Sequence, residues 1–561
     1  MRIRLMALPL AVAVSVAAMG CQGDPNDPMT WAKQLKDLRT QKEALDHLAN
    51  MDVEKARPAV PALIELYTET KRPEHLEALA RYKDPASKPL LIAALDFTDD
   101  DFDRTTIAAG VLADMKATDA VDALIKTVER PLPIKSRANS ARIAALRALV
   151  RIGDKRAVPT LMKILTTSAD EQDFLLNQKA ALGLAELSDP QAIPALIKGM
   201  FMTGRGTGIF QECRLGLVRI GAPAVAPLVA LLEGKNAEVN EMATKLKFDE
   251  FTPGVVPHKA AILLGDLRAR GAVGALIGRL HVKPKGDEHR SALIALGYIG
   301  TPQAVDAVLA YLKDTKADAT ARASAADALY LSGDRRAVPA LMEIAKSGYV
   351  TVNGEKASDL RASAAIALAR IAGKESVPAF KALVEKEEEA QGVFGLALDR
   401  MLVAEECDQD VACYGKKLGD PSWSRAEKAA FAIAFSGDAK QGIPLLLAAL
   451  KPITTMQPER YPVHQAILFA LARLGDKSCT ACVDKLDKQI ERDEKAVRIP
   501  GARDLLGETR VTEAIIQNNP PGGVAPPEAP PAAAPEEAAP ASSKGKGKKA
   551  KAAKGGKKKH K

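Results

Sequence analysis

Two close cysteine pairs are the residues best spaced for chemistry. Cys407 and Cys413 flank DQDVA, and Cys479 and Cys482 flank TA. In an oxidising compartment, thiols so near in sequence close into local disulfides. The second pair has another reading, because a CxxC at a helix start has a lowered thiol pKa and could exchange electrons or hold a metal. Redox sites of that kind stand beside a strand–helix unit, which the flanking residues do not offer, and no His follows Cys482 for haem attachment. A structural bridge is the expectation for both pairs, with reduced, packed thiols as the alternative. Cys213 shares a helical stripe with Phe210, Leu217 and Ile220 and reads as core.

The seven histidines are His47, His75, His258, His281, His289, His464 and His560. None has the i, i+4 His partner of a metalloprotease helix or a Cys at zinc-finger spacing. DFTDDDFD, from Asp96 to Asp103, offers dense oxygen ligands but lacks the Gly and final Glu of a calcium loop, so it reads as a solvated loop before a helix. The Gly-rich turn at Arg205, Gly206, Thr207 and Gly208 is not followed by the GK[ST] that would hold a phosphate. No catalytic residue, metal site or cofactor is assigned, and the expectation is a protein that is not an enzyme.

The elements that must position these residues are helices. Aromatic residues make up 4% of the 561-residue chain, so its core must come from Ala, Leu, Ile and Val, residues of which Ala and Leu enter helices at little cost. RIGDKRAVPTLMKIL at 151–165 returns in related form as LAELSDPQAIPALIKGM from 184, LGYIGTPQAVDAVLAYL from 296, LYLSGDRRAVPALMEIA from 329 and LARIAGKESVPAFKALV from 368. Each copy reads as helix, corner, helix. Ile143, Leu146, Leu149 and Val150 form the stripe of a first helix, Gly153 ends it, Asp154 caps the next, and Pro159 sits in the first turn of the second. Val158, Leu161, Met162 and Leu165 are its buried stripe. Thr301 and Ala222 replace the Asp in other copies, which marks it as a cap. The spacing of 66 residues between the corners at 373 and 439 predicts a degenerate unit between them. Four longer connections, 202–213, 234–258, 347–359 and 451–464, all follow a second helix, so they should crowd one rim, where loops on a rigid scaffold are favoured binding places. The Asn-Gly in YVTVNGEKAS suits a tight hairpin.

The pattern A-x-x-A-L-x-x-[IL]-G-D-x-x-A-V-P-x-L resembles the HEAT repeat, in particular the HEAT-like units of the phycobilin lyase group. The resemblance implies an all-α, right-handed α-solenoid of about 12–13 two-helix repeats over 28–517, with second helices lining the concave side and residues 28–50 and 491–517 as caps. It speaks for the fold and says little of function; the expected partner is an unidentified protein on the solenoid surface or the rim connections. Some HEAT-like enzymes, such as deoxyhypusine hydroxylase, carry His-Glu dipeptides as iron ligands; this chain has none, and Glu-His at 74–75 and 288–289 reverses the order. No lyase residue maps onto the chain.

The two ends are of different character. Arg2 and Arg4 precede an apolar run from Leu5 to Met19, then Gly20 and Cys21, the layout of a secretory signal. Cys21 after Ala-Met-Gly resembles the bacterial lipobox, with Ala18 where Leu is commonest; the resemblance implies a signal peptide at 1–20, lipidation of Cys21 and a short tether at 21–27. Gln22 after the Cys implies the outer membrane, facing the periplasm. Residues 518–543 read as a Pro/Ala-rich linker able to hold its tail up to roughly 80 Å away. The tail, 544–561, is disordered by composition. Its lysines, Lys544, Lys546, Lys548, Lys549, Lys551, Lys554, Lys557, Lys558, Lys559 and Lys561, account for the formal charge of +9, leaving −1 on residues 1–543. Such a tail adheres to anionic polymer or lipid, and without aromatic rings for stacking it reads no nucleic-acid sequence. The expected function is a lipid-anchored cell-envelope scaffold, with a HEAT-like lyase or a CxxC redox protein as the alternative.

Overall fold

The computed structural model describes residues 24–98, 102–204, 206–245, 254–283, 287–347, 350–352, 355–357, 359–385, 391–494 and 502–524. Cys21, the signal segment and the ten tail lysines lie outside them, as does most of the 518–543 linker.

One repeat shows how the sequence sets the unit. The first helix, Asn139–Ile152, ends at Gly153, whose φ of 82° is the left-handed backbone that glycine adopts without a Cβ clash. The Asp154 carboxylate then accepts from the Arg156 amide, a short 3-10 turn covers Lys155–Ala157, and Pro159 lies in the first turn of the second helix, Val158–Thr166. Asp84, Asp189 and Asp334 cap their corners in the same way, and Thr301 caps through its hydroxyl. The recurring Asp is thus a cap. The expected stripes need one adjustment. Val158, Leu161 and Leu165 are buried with Ile164, whereas Met162 is only partly so. In the first helix Leu146 and Leu149 are buried, but Ile143 and Val150 give way to Ala141, Ala145 and Ala148. A first helix touches its own partner and the first helices before and after it, and alanine allows that approach from three sides.

Helix pairs follow one another from Pro28 to Asn518. The degenerate unit falls where expected, as helices Gln391–Cys407 and Val411–Lys417. A second regularity joins units. A polar side chain early in a first helix takes the carbonyls left free at the end of the preceding second helix. Arg142 donates to the Val128 carbonyl at 2.8 Å, Arg322 to Leu312 at 2.8 Å, and Asn177 to Leu165 at 2.9 Å. Arg361 does the same for Ala345 at 2.9 Å. Two β-ribbons occur among the described residues. One pairs Thr203–Gly204 with Thr207–Gly208; the other pairs Val350–Val352 with Glu355–Ala357, and the Asn-Gly predicted as a hairpin centre lies outside the described residues.

Two expectations are corrected. The inner side of the stack, from residue 210 onward, is lined by first helices, not second ones: first helices carry the small residues, so they approach each other closely and take the short inner path. A Cβ at Gly297 would run into the backbone of Ala328 on the next first helix. The C-terminal segment is also not an outward cap. Helix Ala502–Asn518 packs on Tyr461–Leu474 and Thr480–Asp493 and then against Phe210–Ile220, closing a ring of inner helices. Arg214 meets Glu508 at 2.7 Å and Arg219 meets Glu513 at 3.1 Å, contacts between residues 294 apart in sequence. The segment expected to begin the linker at 518 belongs partly to the fold: Asn519 donates to the Ala472 and Gly475 carbonyls, and the Val524 amide to Arg473.

Candidate functional site: a cavity inside the closed stack

Closure leaves a cavity of about 650 Å³ between the middle repeats and the returning C-terminal helices. Its walls come from helices Phe210–Ile220, Val255–Asp266, Glu288–Ile299, Ala319–Ser332, Asp359–Ile371, Trp423–Ser436, Tyr461–Leu474 and Ala502–Asn518. One wall is aromatic. Phe469 meets Phe431 at a centroid distance of 5.2 Å and Tyr298 at 6.0 Å, and Tyr330 stands edge-on to Phe431 at 5.4 Å.

The charged residues at this cavity are held in buried networks. Arg214 donates to both Asp266 oxygens, at 2.7 and 2.9 Å, and to Glu508 at 2.7 Å. Burial works against its charge, but the two carboxylates outweigh it and hold the guanidinium well above its ordinary pKa. Glu427 accepts from Arg370 at 2.6 Å and from Arg400 at 2.7 Å. The Arg370 guanidinium lies 4.2 Å from the Tyr330 ring centroid and 5.4 Å from that of Phe431, a cation–π placement. Beside it Lys428 donates to the Arg370 and Ala372 carbonyls at 2.9 Å each, and burial pulls its ammonium down to about 7. Burial likewise draws Arg268 down to about 10, while its guanidinium donates to the Ala472 carbonyl at 2.9 Å. The phenols of Tyr298 and Tyr330 are pushed up by burial.

Of the residues singled out from sequence, Phe210 and Gln211 of the connection 202–213 and Pro462 of 451–464 line the cavity, while the cysteines and histidines lie elsewhere. Cys407 is joined to Cys413 across the corner of the degenerate unit, with Cα atoms 5.4 Å apart. Cys479 is joined to Cys482 at the first turn of helix Thr480–Asp493, at 5.3 Å. Neither pair lines the cavity. Cys213 is free and buried, and burial raises its thiol pKa well above the ordinary value. The described histidines are dispersed: His47 stacks on Trp31, His75 meets the Thr70 hydroxyl at 2.7 Å, and His289 meets Tyr311 at 2.7 Å. Among the described residues no three His, Cys, Asp or Glu side chains gather as metal ligands would. Of the acidic stretch, Asp96 pairs with Arg130 at 3.5 Å and Asp103 opens a helix; Asp99 to Asp101 lie outside the described residues. The connection at 451–464 is bound down: Ile453 is buried, its amide donates to Asp493 at 3.1 Å, and Arg460 donates to the Asp420 and Leu418 carbonyls.

Sequence reasoning missed the cavity because its walls come from segments up to about 300 positions apart. The trace it left is an ionisable residue inside an otherwise apolar first helix: Arg214 in FQECRLGLVRI, and Glu427 and Lys428 in RAEKAAFAIAF.

Among curated proteins none matches the chain. Solved structures give helical-repeat likenesses. The complex of CpcE and CpcF of phycocyanin lyase from Nostoc sp. is 25% identical, over 43% of this chain and 86% of that one, with a TM-score of 0.23. Human deoxyhypusine hydroxylase is 17% identical, over 53% of this chain and 98% of that one, with a TM-score of 0.19. Kap121p bound to Nup53p is 13% identical, over 88% of this chain and 54% of that one, with a TM-score of 0.42. A profile of HEAT repeats matches residues 133–203 and 273–357, so the repeats in these two stretches are HEAT repeats.

Proposed function

We propose that this chain is a lipid-anchored scaffold of a bacterial cell envelope, holding protein partners on the surface of its HEAT-repeat solenoid. The observation that supports it most is the division of the surface. From residue 210 onward the first helices face the interior of a ring closed by the chain's own C-terminal helix, so the second helices and the connections ahead of the first helices are what a partner protein reaches there. The ribbon Thr203–Gly208 stands on that rim with Gly206, Thr207 and Gly208 exposed, anchored where Gly204 lies against the Phe174 ring of the neighbouring repeat. A loop held on a rigid stack loses little freedom on binding. Acyl chains on Cys21 would anchor the body to the outer membrane on its periplasmic side, and Lys544 to Lys561 would adhere to anionic polymer or lipid.

The test places a photo-crosslinking residue at Thr207 in intact cells, with a second at Tyr298 on the inner face. Discrete protein adducts from Thr207 and none from Tyr298 are expected; adducts from Tyr298 alone would reverse the assignment of the surfaces. Cys21→Ser in a chain ending at Ser543 should move the protein from the membrane to the soluble fraction. Retention on the membrane would refute the anchor.

A further inference from the structure

We propose that the inner cavity binds an uncharged organic molecule with a flat or ring-bearing apolar body and oxygen acceptors at its edge. The site goes beyond the scaffold reading and does not rest on it.

The first ground is where the rings are. The chain has 2 Trp, 8 Tyr and 12 Phe, and Phe210, Tyr298, Tyr330, Phe431 and Phe469 all line this one cavity. Away from it the first helices meet through alanine and glycine, as at Gly297 on Ala328. Here rings stand around space. Its volume of about 650 Å³ lies in the range of small-molecule sites, which are mostly apolar with a few convergent polar groups.

The second ground is charge. Arg214, Arg268 and Arg370 among the lining residues face Asp266, Glu427 and Glu508, three cations against three carboxylates. Arg214 and Arg370 hold carboxylates at 2.6–2.7 Å, and Arg268 donates to the Ala472 carbonyl and, at 3.2 Å, to Asn519. A charged ligand seated on Arg214, Arg370 or their carboxylates would have to break one of these buried pairs and strand its partner, and one seated on Arg268 would have to displace the Ala472 carbonyl and Asn519. A neutral one need not.

The third ground is what remains unused. The hydroxyls of Tyr298 and Tyr330 and the amide of Gln465 hold no hydrogen bond among the described residues, and Gln465 is exposed at the cavity's edge. The buried Nε of Arg370 has no acceptor. Donors left facing an apolar space favour a guest that brings carbonyl, ether or hydroxyl oxygens.

The probe is Nile red, a neutral fused-ring dye with a carbonyl, titrated into the full chain and followed by its emission. Saturation at one dye per chain with a Kd of about micromolar is expected, and about tenfold weaker binding of the anionic anilinonaphthalenesulfonate. Ala466→Trp places an indole in the space and should abolish saturable binding. Tyr298→Phe with Tyr330→Phe keeps the shape, removes both donors and should weaken binding about tenfold. Binding unchanged in both variants, uptake without saturation, or equal affinity for the two dyes would overturn the proposal. Should Ala466→Trp lose its native helical spectrum, the double phenylalanine variant decides by itself.

Discussion

Asp154 and Asp334 each do two jobs at their corners. Each accepts from the amide two residues on and from that residue's guanidinium, Arg156 or Arg336, which then reaches Asp122 or Asp306 of the same unit's neighbour along the turn. At Asp154 the ion pairs are largely exposed and contribute little, so the cap dominates: Asp154→Ala should cost about 1 kcal/mol in denaturant unfolding. Inside the ring the scale changes. Glu427→Ala leaves the Arg370 and Arg400 guanidiniums without their shared carboxylate, and a loss of about 3–5 kcal/mol is expected by the same measurement. His464 is buried, with neither ring nitrogen hydrogen-bonded, and burial pulls it down from 6.5 to about 4. Its neutral form is the folded form, so its contribution is complete above pH ~6.5 and is lost as the pH falls through about 4. The wild type should lose up to about 3 kcal/mol more than His464→Leu between those limits, read from unfolding curves at each pH.

At the scale of elements, the helix Ala502–Asn518 decides the form of the molecule. It is amphipathic, burying Leu505, Leu506, Val511, Ala514 and Ile516, and its polar side chains Glu508, Glu513 and Asn518 all reach the helix Phe210–Ile220. Arg214 is the centre of that contact. Arg214→Ala removes the counter-charge from Asp266 and Glu508 at once, and faster amide exchange is expected in 502–518 and 210–220, with 139–166 unchanged. Close helix contact sets the other element-scale limit. Gly297→Ala should destabilise by about 1–3 kcal/mol although alanine is the better helix former, because the added methyl meets the Ala328 backbone. A melt that rises instead would show that the two helices separate freely.

At the scale of the molecule, ring closure changes how the stack should unfold. An open solenoid is stabilised by nearest neighbours and comes apart piecewise. Here residues 294 apart are tied together, so the repeats from 210 to 518 should unfold as one unit. A chain ending at Asp493 should unfold in more than one phase and show a larger radius in solution scattering. Removing everything after Ser543, by contrast, should leave the unfolding curve unaltered and abolish salt-sensitive binding to anionic vesicles.

The order and type of the elements were legible in the residues themselves. Spacing of Ala and Leu, Gly at 153, Asp at 154 and Pro at 159 fix a helix–corner–helix unit through local contacts alone, and its recurrence fixes a stack. The pairing of Val350–Val352 with Glu355–Ala357 was equally local. What tertiary structure alone decided was the side that faces inward, the return of the last helix onto the middle of the chain, and the open cavity that this return helps to line. Each of those depends on small angles between successive first helices adding up over many repeats, and on pairs such as Arg214 with Glu508 whose partners no window of sequence contains.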